Sequence, residues 1–217
     1  MGKKIRLIDV TIRDGHQCLW ATRMTTAMMK DIAPKLDEAG FEAIDLVGGA
    51  VFDVCVRFLR EDPWERMRIL NTWVTKTPLI IHTRGQSLFT FEFFADDVVE
   101  LAAERFAANG MRYHTVYDAL NDTRNLEIPI RAARGHGIHV VPGLVYTHSP
   151  AHTDEYYVRK TKELMTIGVD GPAWRAARAA AVPNGYDHVY ATSDKFLGKL
   201  KNLSLSRRDL PHPGTSS

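Results

Sequence analysis

Short apolar runs alternate with longer segments of helical periodicity over most of the chain. Each apolar run has five to nine residues and is bounded by turn residues, which is typical of a buried strand. The segments between them repeat apolar positions at the spacing of an amphipathic helix. The predicted strands are residues 5–10, 43–47, 78–83, 111–117 and 138–146. The predicted helices are residues 25–39, 51–59, 63–74, 96–108, 123–134 and 153–167.

Residues that begin and end helices support these boundaries. Asp62 precedes Pro63, which is a favourable pair for an N-cap and a first helical residue. Gly40 and Gly110 follow predicted helices, where glycine readily adopts the left-handed conformation that ends them. Each boundary therefore has its own local cause.

The alternation predicts an α/β protein with a parallel sheet. Five strand–helix units occupy residues 5–167, or about 33 residues each. Both a doubly wound sheet and a (β/α)8 barrel fit this pattern. No Gly-x-Gly-x-x-Gly motif follows the first strand, which disfavours a dinucleotide-binding sheet. About 50 residues remain for three further units, so a barrel would be incomplete, with about five βα units and an irregular C-terminal tail.

Composition sets the protein class. The chain has 217 residues, of which 45% are hydrophobic and 25% charged, as in a globular protein with a core. No apolar run is long enough to span a membrane, and no secretion signal is evident at the start, so we expect a cytoplasmic protein. Cys18 and Cys55 are too few for a disulfide framework, and we interpret both as small buried hydrophobic residues.

Charge and rhythm both change near Gly171. From there to the end of the chain there are seven Lys and Arg residues against three Asp, and the strand–helix rhythm is lost. We therefore divide the chain into residues 1–170 and a basic tail, residues 171–217. The overall net charge of +2 gives no sign of nucleic-acid binding.

Polar side chains follow every predicted strand. The carboxyl ends of parallel strands form the active face of a barrel, so these residues are expected to lie near one another. Two arginines among carboxylates would suit an anionic substrate beside a divalent metal. The strand-end residues in question are Arg13, Asp14, His16, Gln17, Asp45, His82, Arg84, Gln86, Tyr117, Asp118, Asn121, Asp122, Tyr146 and His148.

Several of these runs resemble the biotin-dependent carboxyltransferases. That family includes the carboxyltransferase domain of pyruvate carboxylase, the oxaloacetate decarboxylase alpha subunit and the transcarboxylase 5S subunit. The resemblance covers about residues 5–171, the N-terminal part of such a barrel. It rests on Arg-Asp-Gly-His-Gln at 13–17, Gly-Gly-Ala-Val-Phe-Asp at 48–53, Glu-Asp-Pro-Trp-Glu-Arg at 61–66, Arg-Gly-Gln at 84–86, Asp-Ala-Leu-Asn-Asp at 118–122 and Tyr-Thr-His-Ser-Pro at 146–150.

The resemblance implies a role for individual residues. Asp14 would be a ligand of a divalent metal (Zn, Mn or Co), and Arg13 would stabilise an enolate beside it. Gln17 would contact the substrate, and Arg84 would bind the carboxylate of a 2-oxoacid. We expect Asp14, Gln17 and Arg84 to face one cavity. Asp53 and Asp118 would lie on the biotin side, although a role at a helix N-terminus is an alternative for Asp53.

Three family features are missing. Phe91 stands where the family commonly has a tyrosine, seven residues after the arginine that matches Arg84. The metal-binding lysine and the His-x-His pair of the later strands have no counterpart in the sequence. We regard His16, His82, His114, His136, His139 and His148 as surface or supporting groups rather than ligands.

The activity implied is carboxyl transfer between carboxybiotin and a 2-oxoacid such as pyruvate or oxaloacetate, through a metal-stabilised enolate. The biotin would be carried on a partner domain or subunit, and intact family members are expected to form homo-oligomers. Alternatives are a carbon–carbon lyase or Claisen-type synthase of the same superfamily, or a catalytically inactive fragment.

Overall fold

The computed structural model describes residues 7–147, 149–168, 178–181 and 189–190, and its strands form one sheet. The strands are β1 Ile8–Asp9, β2 Ala43–Val47, β3 Leu79–Thr83, β4 Tyr113–Asp118, β5 His139–Val140, β6 Gly143–Tyr146, β7 Arg178–Ala181 and β8 Val189–Tyr190. The α-helices described between β1 and β7 are α1 His16–Leu19, α2 Ala33–Glu38, α3 Gly49–Val54, α4 Pro63–Trp73, α5 Asp96–Ala108, α6 Arg124–Gly135 and α7 Asp154–Thr166.

The strands lie in the sheet in chain order. β1, β2, β3, β4, β6 and β7 are successive parallel neighbours, and β5 also pairs with β4. A doubly wound sheet would reverse this order at a switch point, whereas a barrel keeps it. Of the two architectures left open by the sequence, the strand order is that of a barrel.

Both faces of the central strands are covered. All five residues of β2 and all five of β3 are buried, which is typical of a parallel sheet between helices or of a barrel wall. Apolar side chains of the strands, α4, α5 and α6 form one core cluster around Ile44, Ile81 and Phe106. At about 25 cal/mol per Å² this burial is the main stabilising term, and it fixes the strand ends that carry the polar residues.

Proline accounts for two differences from the predicted elements. The predicted strand 138–146 is two strands, because Pro142 has no N–H with which to continue the ladder after Val141. The predicted helix 25–39 is a short 3-10 turn, Ala27–Met29, followed by α2. Pro34 lies in the first turn of α2, where its missing N–H costs nothing, but it could not continue a longer helix.

The two cysteines differ in exposure. Cys55 is buried as predicted, but the prediction for Cys18 was wrong, since it is exposed.

Most of the tail 171–217 lies outside the described residues. Within them, β7 extends the parallel order and β8 is antiparallel to it, which departs from strict strand–helix alternation. In the part of the chain that the structure describes, we find no helix of the length and apolar character that a membrane crossing requires.

Candidate active site

Arg13 is the centre of a buried ion-pair cluster. It lies in a π-helical turn, Thr11–Gly15, that follows β1 directly. Its Nε donates to Asp45 Oδ2 at 2.8 Å, and its Nη1 donates to Asp14 Oδ1 at 3.0 Å. The Arg13 side chain is only 4% exposed and that of Asp14 13%. Two nitrogens of one guanidinium are thus held by two different carboxylates, which fixes its plane.

Asp45 connects this cluster to the next strand. It lies in the middle of β2 and is fully buried, and its second oxygen, Oδ1, is 2.9 Å from His82 Nδ1 on β3. The register of β2 against β3 shifts between Asp45 and Val47, so the irregularity lies beside the cluster. Of the two alternatives for His82 and His114, a surface position is excluded, because both are buried within the sheet, and the alternative of a supporting group is left. His148 lies outside the described residues.

Two glycines at the end of β2 allow the side chains of two arginines to pack closely against the backbone. A Cβ on Gly48 would lie 3.2 Å from Cδ of Arg13, and a Cβ on Gly49 would lie 2.8 Å from Nη1 of Arg84. The second distance is shorter than real Cβ contacts, so a side chain there would displace the guanidinium. Gly48 and Gly49 therefore leave space for the side chains of Arg13 and Arg84, respectively.

Arg84 is held by the loop that follows β3. Its Nη1 donates to the carbonyl oxygens of Phe89 at 3.2 Å and Thr90 at 3.3 Å. Its guanidinium carbon lies 4.5 Å from the centre of the Phe91 ring, a cation–π contact, although that residue is 88% exposed. Nε and Nη2 make no hydrogen bond within the described residues, so they can serve a ligand carboxylate.

The remaining candidate residues are more dispersed. Gln17 lies half-buried on α1, and its side-chain amide makes no hydrogen bond among the described residues. Asp53 is the fifth residue of α3 and pairs with Arg57 at 2.8 Å, with both side chains largely exposed. The alternative of a helix N-terminal role for Asp53 is therefore wrong.

Asp118 organises its own loop at the end of β4. Its Oδ2 accepts hydrogen bonds from the backbone N–H groups of Leu120 and Asp122, each at 2.9 Å. Its Oδ1 accepts from Asn125 Nδ2 at 3.1 Å. A cavity of about 680 Å³ lies beside it, and it reaches α7. None of Asp14, Gln17 and Arg84 lines this cavity, and their sharing of another one stays a prediction.

The Glu-Asp-Pro-Trp-Glu-Arg run supports the loop that follows the Arg13 turn. Glu61 accepts hydrogen bonds from Thr26 Oγ1 and Arg66 Nη2, each at 2.6 Å. Arg66, almost fully buried, also donates to the carbonyl oxygen of Met24 at 3.0 Å. Burial opposes ionisation of Glu61, but the hydrogen bonds from Thr26 and Arg66 outweigh it and hold its pKa below the ordinary range. Asp62 caps α4 through the N–H of Trp64, as predicted.

Two histidines near the cluster are held neutral. Burial, followed by the nearby charge of Arg66, lowers the pKa of His16 to about 4. Burial, followed by the proximity of His82, lowers the pKa of His114 to about 3. His114 Nε2 lies 2.7 Å from the Thr83 hydroxyl, while both ring nitrogens of His16 are buried without a described partner. Both rings are therefore uncharged at neutral pH.

The described residues do not fit a metal ion by themselves. Asp14, the expected ligand, already accepts from Arg13. Nowhere in residues 7–147 or 149–168 do three His, Cys, Asp or Glu side chains converge as ligands would. The two carboxylates of this cluster are engaged by Arg13, and the group available for an organic anion is the guanidinium of Arg84.

The sequence carries a signal for the pairing of Asp45 but none for its contact with His82. A charged residue within an apolar five-residue strand must be paired, since an isolated buried carboxylate is very costly. The sequence Ala-Ile-Asp-Leu-Val could therefore have identified Asp45 as a paired residue. No spacing rule connects it to His82, 37 residues later.

Comparison with known proteins gives relatives of one kind. No protein-family model matches the sequence. The chain is 41% identical over 186 residues to the B subunit of pyruvate carboxylase from Methanocaldococcus jannaschii, covering 85% of this chain and 33% of that protein. It is 35% identical over 204 residues to the methylmalonyl-CoA carboxyltransferase 5S subunit of Propionibacterium freudenreichii, covering 94% and 40% respectively.

The structural comparison agrees. The carboxyl transferase domain from Rhizobium etli pyruvate carboxylase with oxamate and biotin superimposes with a TM-score of 0.74 at 31% identity. The match covers 77% of this chain and 30% of that one. The same domain with pyruvate and biocytin gives a TM-score of 0.73. The chain thus spans about a third of the length of most of these relatives, and the resemblance drawn from its motifs is confirmed.

Proposed function

Because most of this chain is related to the biotin-dependent carboxyltransferases, we propose that it takes part in carboxyl transfer between carboxybiotin and a 2-oxoacid. The relatives are named for pyruvate and for methylmalonyl-CoA, and pyruvate or oxaloacetate is the substrate whose carboxylate Arg84 could bind. The observation that carries the proposal is that Arg13 packs against Gly48 and Arg84 against the next residue, Gly49.

Arg84 would bind the substrate carboxylate. Its Nη1 is occupied by loop carbonyl groups, which leaves Nε and Nη2 as a planar pair of donors. A carboxylate accepts such a pair in two parallel hydrogen bonds. The Phe91 ring shields one face of the guanidinium from water and so strengthens this contact. The carbonyl group of a 2-oxoacid bound there would be directed towards the cluster.

Arg13 would stabilise the charge that develops on the oxygen of an enolate. Its orientation is fixed in advance by Asp14 and Asp45, so no reorganisation is needed when the charge appears. Removing one such donor typically costs about 10²–10³ in rate. Gln17, on the adjacent helix α1, would supply a neutral amide donor to the same substrate.

The family resemblance implies three further components: a divalent metal at Asp14, biotin delivered by a carrier domain or subunit, and a homo-oligomeric assembly. The described residues do not form a metal site, so no step is assigned to a metal here. Asp53 and Asp118 remain the proposed biotin-side residues. Asp118 borders a cavity large enough for a small molecule.

The proposal is tested by oxaloacetate decarboxylation in the presence of free biotin, together with direct titration of oxamate. In Arg84→Lys we expect oxamate affinity to fall by about tenfold, since lysine cannot provide two parallel donors. Arg68→Lys, on the exposed face of α4, is the matched control and should leave the affinity unchanged. Turnover that does not depend on biotin would favour a carbon–carbon lyase. Absence of both turnover and oxamate binding would overturn the proposal.

A further inference from the structure

His82 is linked to Arg13 through a single carboxylate. The Nδ1 atom of His82 lies 2.9 Å from Oδ1 of Asp45, and the other oxygen of Asp45 accepts from Arg13 Nε at 2.8 Å. The side chains of Arg13, Asp45 and His82 are 4%, 0% and 8% exposed. The three residues come from the turn after β1, from β2 and from β3, so the line crosses three successive elements of the sheet.

We propose that His82 is a positioning residue, whose Nδ1–H orients the Asp45 carboxylate and thereby holds the guanidinium of Arg13 in place. The role in catalysis rests on the proposed function, but the positioning itself does not. His82 would touch neither the substrate nor a cofactor, and its effect on Arg13 would pass through Asp45.

The argument starts from the carboxylate. The terminal torsion of an aspartate side chain is broad, so a single hydrogen bond does not fix the plane of its oxygens. A second donor on the other oxygen does fix it. Arg13 Nε provides the first donor and His82 provides the second. With the Asp45 plane fixed, Nε of Arg13 has one favourable direction, and its Nη1 then reaches Asp14.

The protonation of the ring follows from chemistry. An ionised carboxylate only accepts hydrogen bonds, so the nitrogen that faces Asp45 must carry the proton. The neutral ring would therefore be the Nδ1–H tautomer, which leaves Nε2 as an acceptor. Its position is confined as well, because a Cβ on Gly48 would lie 3.9 Å from Cβ of His82. The Cβ of His82 thus packs against Gly48, the glycine that also contacts Arg13.

Two isosteric replacements separate positioning from simple packing. In His82→Asn the amide NH₂ falls near the place of Nδ1, so the donor to Asp45 is kept. In His82→Gln the amide extends to the place of Nε2, so a polar side chain of larger size remains but the donor is misplaced. His82→Leu removes hydrogen bonding altogether.

The experiment is nitrogen-15 NMR on the full 217-residue chain. In the wild type we expect the Nδ1–H tautomer of His82 and a distinct Arg13 Nε–H resonance that exchanges slowly with solvent. In His82→Leu and His82→Gln this exchange should become roughly tenfold faster, the scale of one lost hydrogen bond. His82→Asn should retain most of the protection, and a merely structural role would not produce this difference between Asn and Gln.

The outcomes separate the two proposals. An Nε2–H tautomer of His82 in the wild type, or equal protection of Arg13 in all variants, would overturn the positioning role. The tautomer measurement needs no variant, so it decides even if the variants fail to fold. If the NMR result holds but the chain shows neither turnover nor oxamate binding, the positioning stands and the proposed function falls. If the chain is active, His82→Gln should lower kcat more than it raises KM.

Discussion

The side chain of Asn121 pairs with the backbone of Val145 as a neighbouring strand would. Its Oδ1 accepts from Val145 N at 2.7 Å, and its Nδ2 donates to Val145 O at 2.8 Å. Asn121 is buried and has a φ of 57°, a left-handed conformation that asparagine tolerates better than most residues. One side chain thus joins the loop after β4 to β6, beyond the point where the β4 ladder ends.

Replacing Asn121 by alanine should destabilise the protein by about 2–3 kcal/mol. Two hydrogen bonds to the Val145 backbone are lost, its C=O keeps only the longer hydrogen bond from the Tyr157 hydroxyl at 3.4 Å, and alanine is strained at this φ. Urea unfolding followed by circular dichroism measures the change. Asn125→Ala, which removes one contact to Asp118, should cost less than about 1 kcal/mol. Equal costs for the two variants would contradict this interpretation.

Gly49→Ala should weaken 2-oxoacid binding without unfolding the chain. The new Cβ would lie 2.8 Å from Arg84 Nη1 and 3.1 Å from the carbonyl oxygen of Phe89, so the guanidinium must move. We expect oxamate affinity to fall by roughly tenfold, comparable to the loss of one good hydrogen bond. Calorimetric titration gives the affinity. Gly135→Ala is the control, because a Cβ there meets nothing within 4 Å.

Stability should depend on pH through His114. Its folded pKa of about 3 lies below the ordinary value of 6.5, so between these values the unfolded state binds more protons. Stability is therefore lost as the pH falls from 6.5, with a contribution of up to about 1.4 kcal/mol per pH unit from this group. His114→Gln should reduce the slope of unfolding free energy against pH. Ile44→Val, a core change with no titrating group, should lower stability equally at each pH.

Breaking the Glu61–Arg66 pair should be costly. Glu61→Gln leaves the almost fully buried Arg66 without its countercharge, and we expect a loss of roughly 3 kcal/mol at pH 7. Since the pKa of Glu61 is depressed, the difference from the wild type should shrink as the pH falls through that pKa. Glu65→Gln removes an exposed pair with Arg68 on the same helix and should cost about 0.5 kcal/mol or less. Thermal unfolding of both variants gives the comparison.

The 217-residue chain should bind divalent metal weakly. Asp14 is the one ligand that the family resemblance assigns, whereas catalytic zinc sites use about three protein ligands. Metal content of the purified protein, measured by mass spectrometry after dialysis, should be well below one ion per chain. Near-stoichiometric metal that disappears in Asp14→Asn would show that the prediction is wrong.

Regular elements with clear local causes could be predicted from the sequence. The predicted bounds of β2 and α5 agree with the structure, because an apolar run bounded by glycine and a helix beginning at Asp96 are each decided locally. The predictions failed at Pro34 and Pro142, where apolar periodicity outweighed the local effect of a missing N–H.

The candidate site could be predicted only in part. Arg13, Asp14 and Arg84 were identified from short motifs, yet their partners lie far along the chain. Arg13 and Asp45 are 32 residues apart in the sequence, and Asp45 and His82 are 37 residues apart. Such pairings depend on strand register rather than on spacing along the chain. The missing hydroxyl at Phe91 was evident in the sequence, but its ring contact with Arg84 was not.

The order of the strands has a consequence for synthesis on the ribosome. Ile8 pairs with Ala43, Ile44 with Leu79 and Ile80 with Tyr113, so each strand meets its neighbour about 35 residues later. A growing chain that emerges from its N-terminus can therefore add one strand at a time to an existing edge. No early strand among those described has to wait for a distant segment before it gains a partner. Assembly from β1 to β6 can follow the order of translation, with each new strand added to the edge of the one made before it.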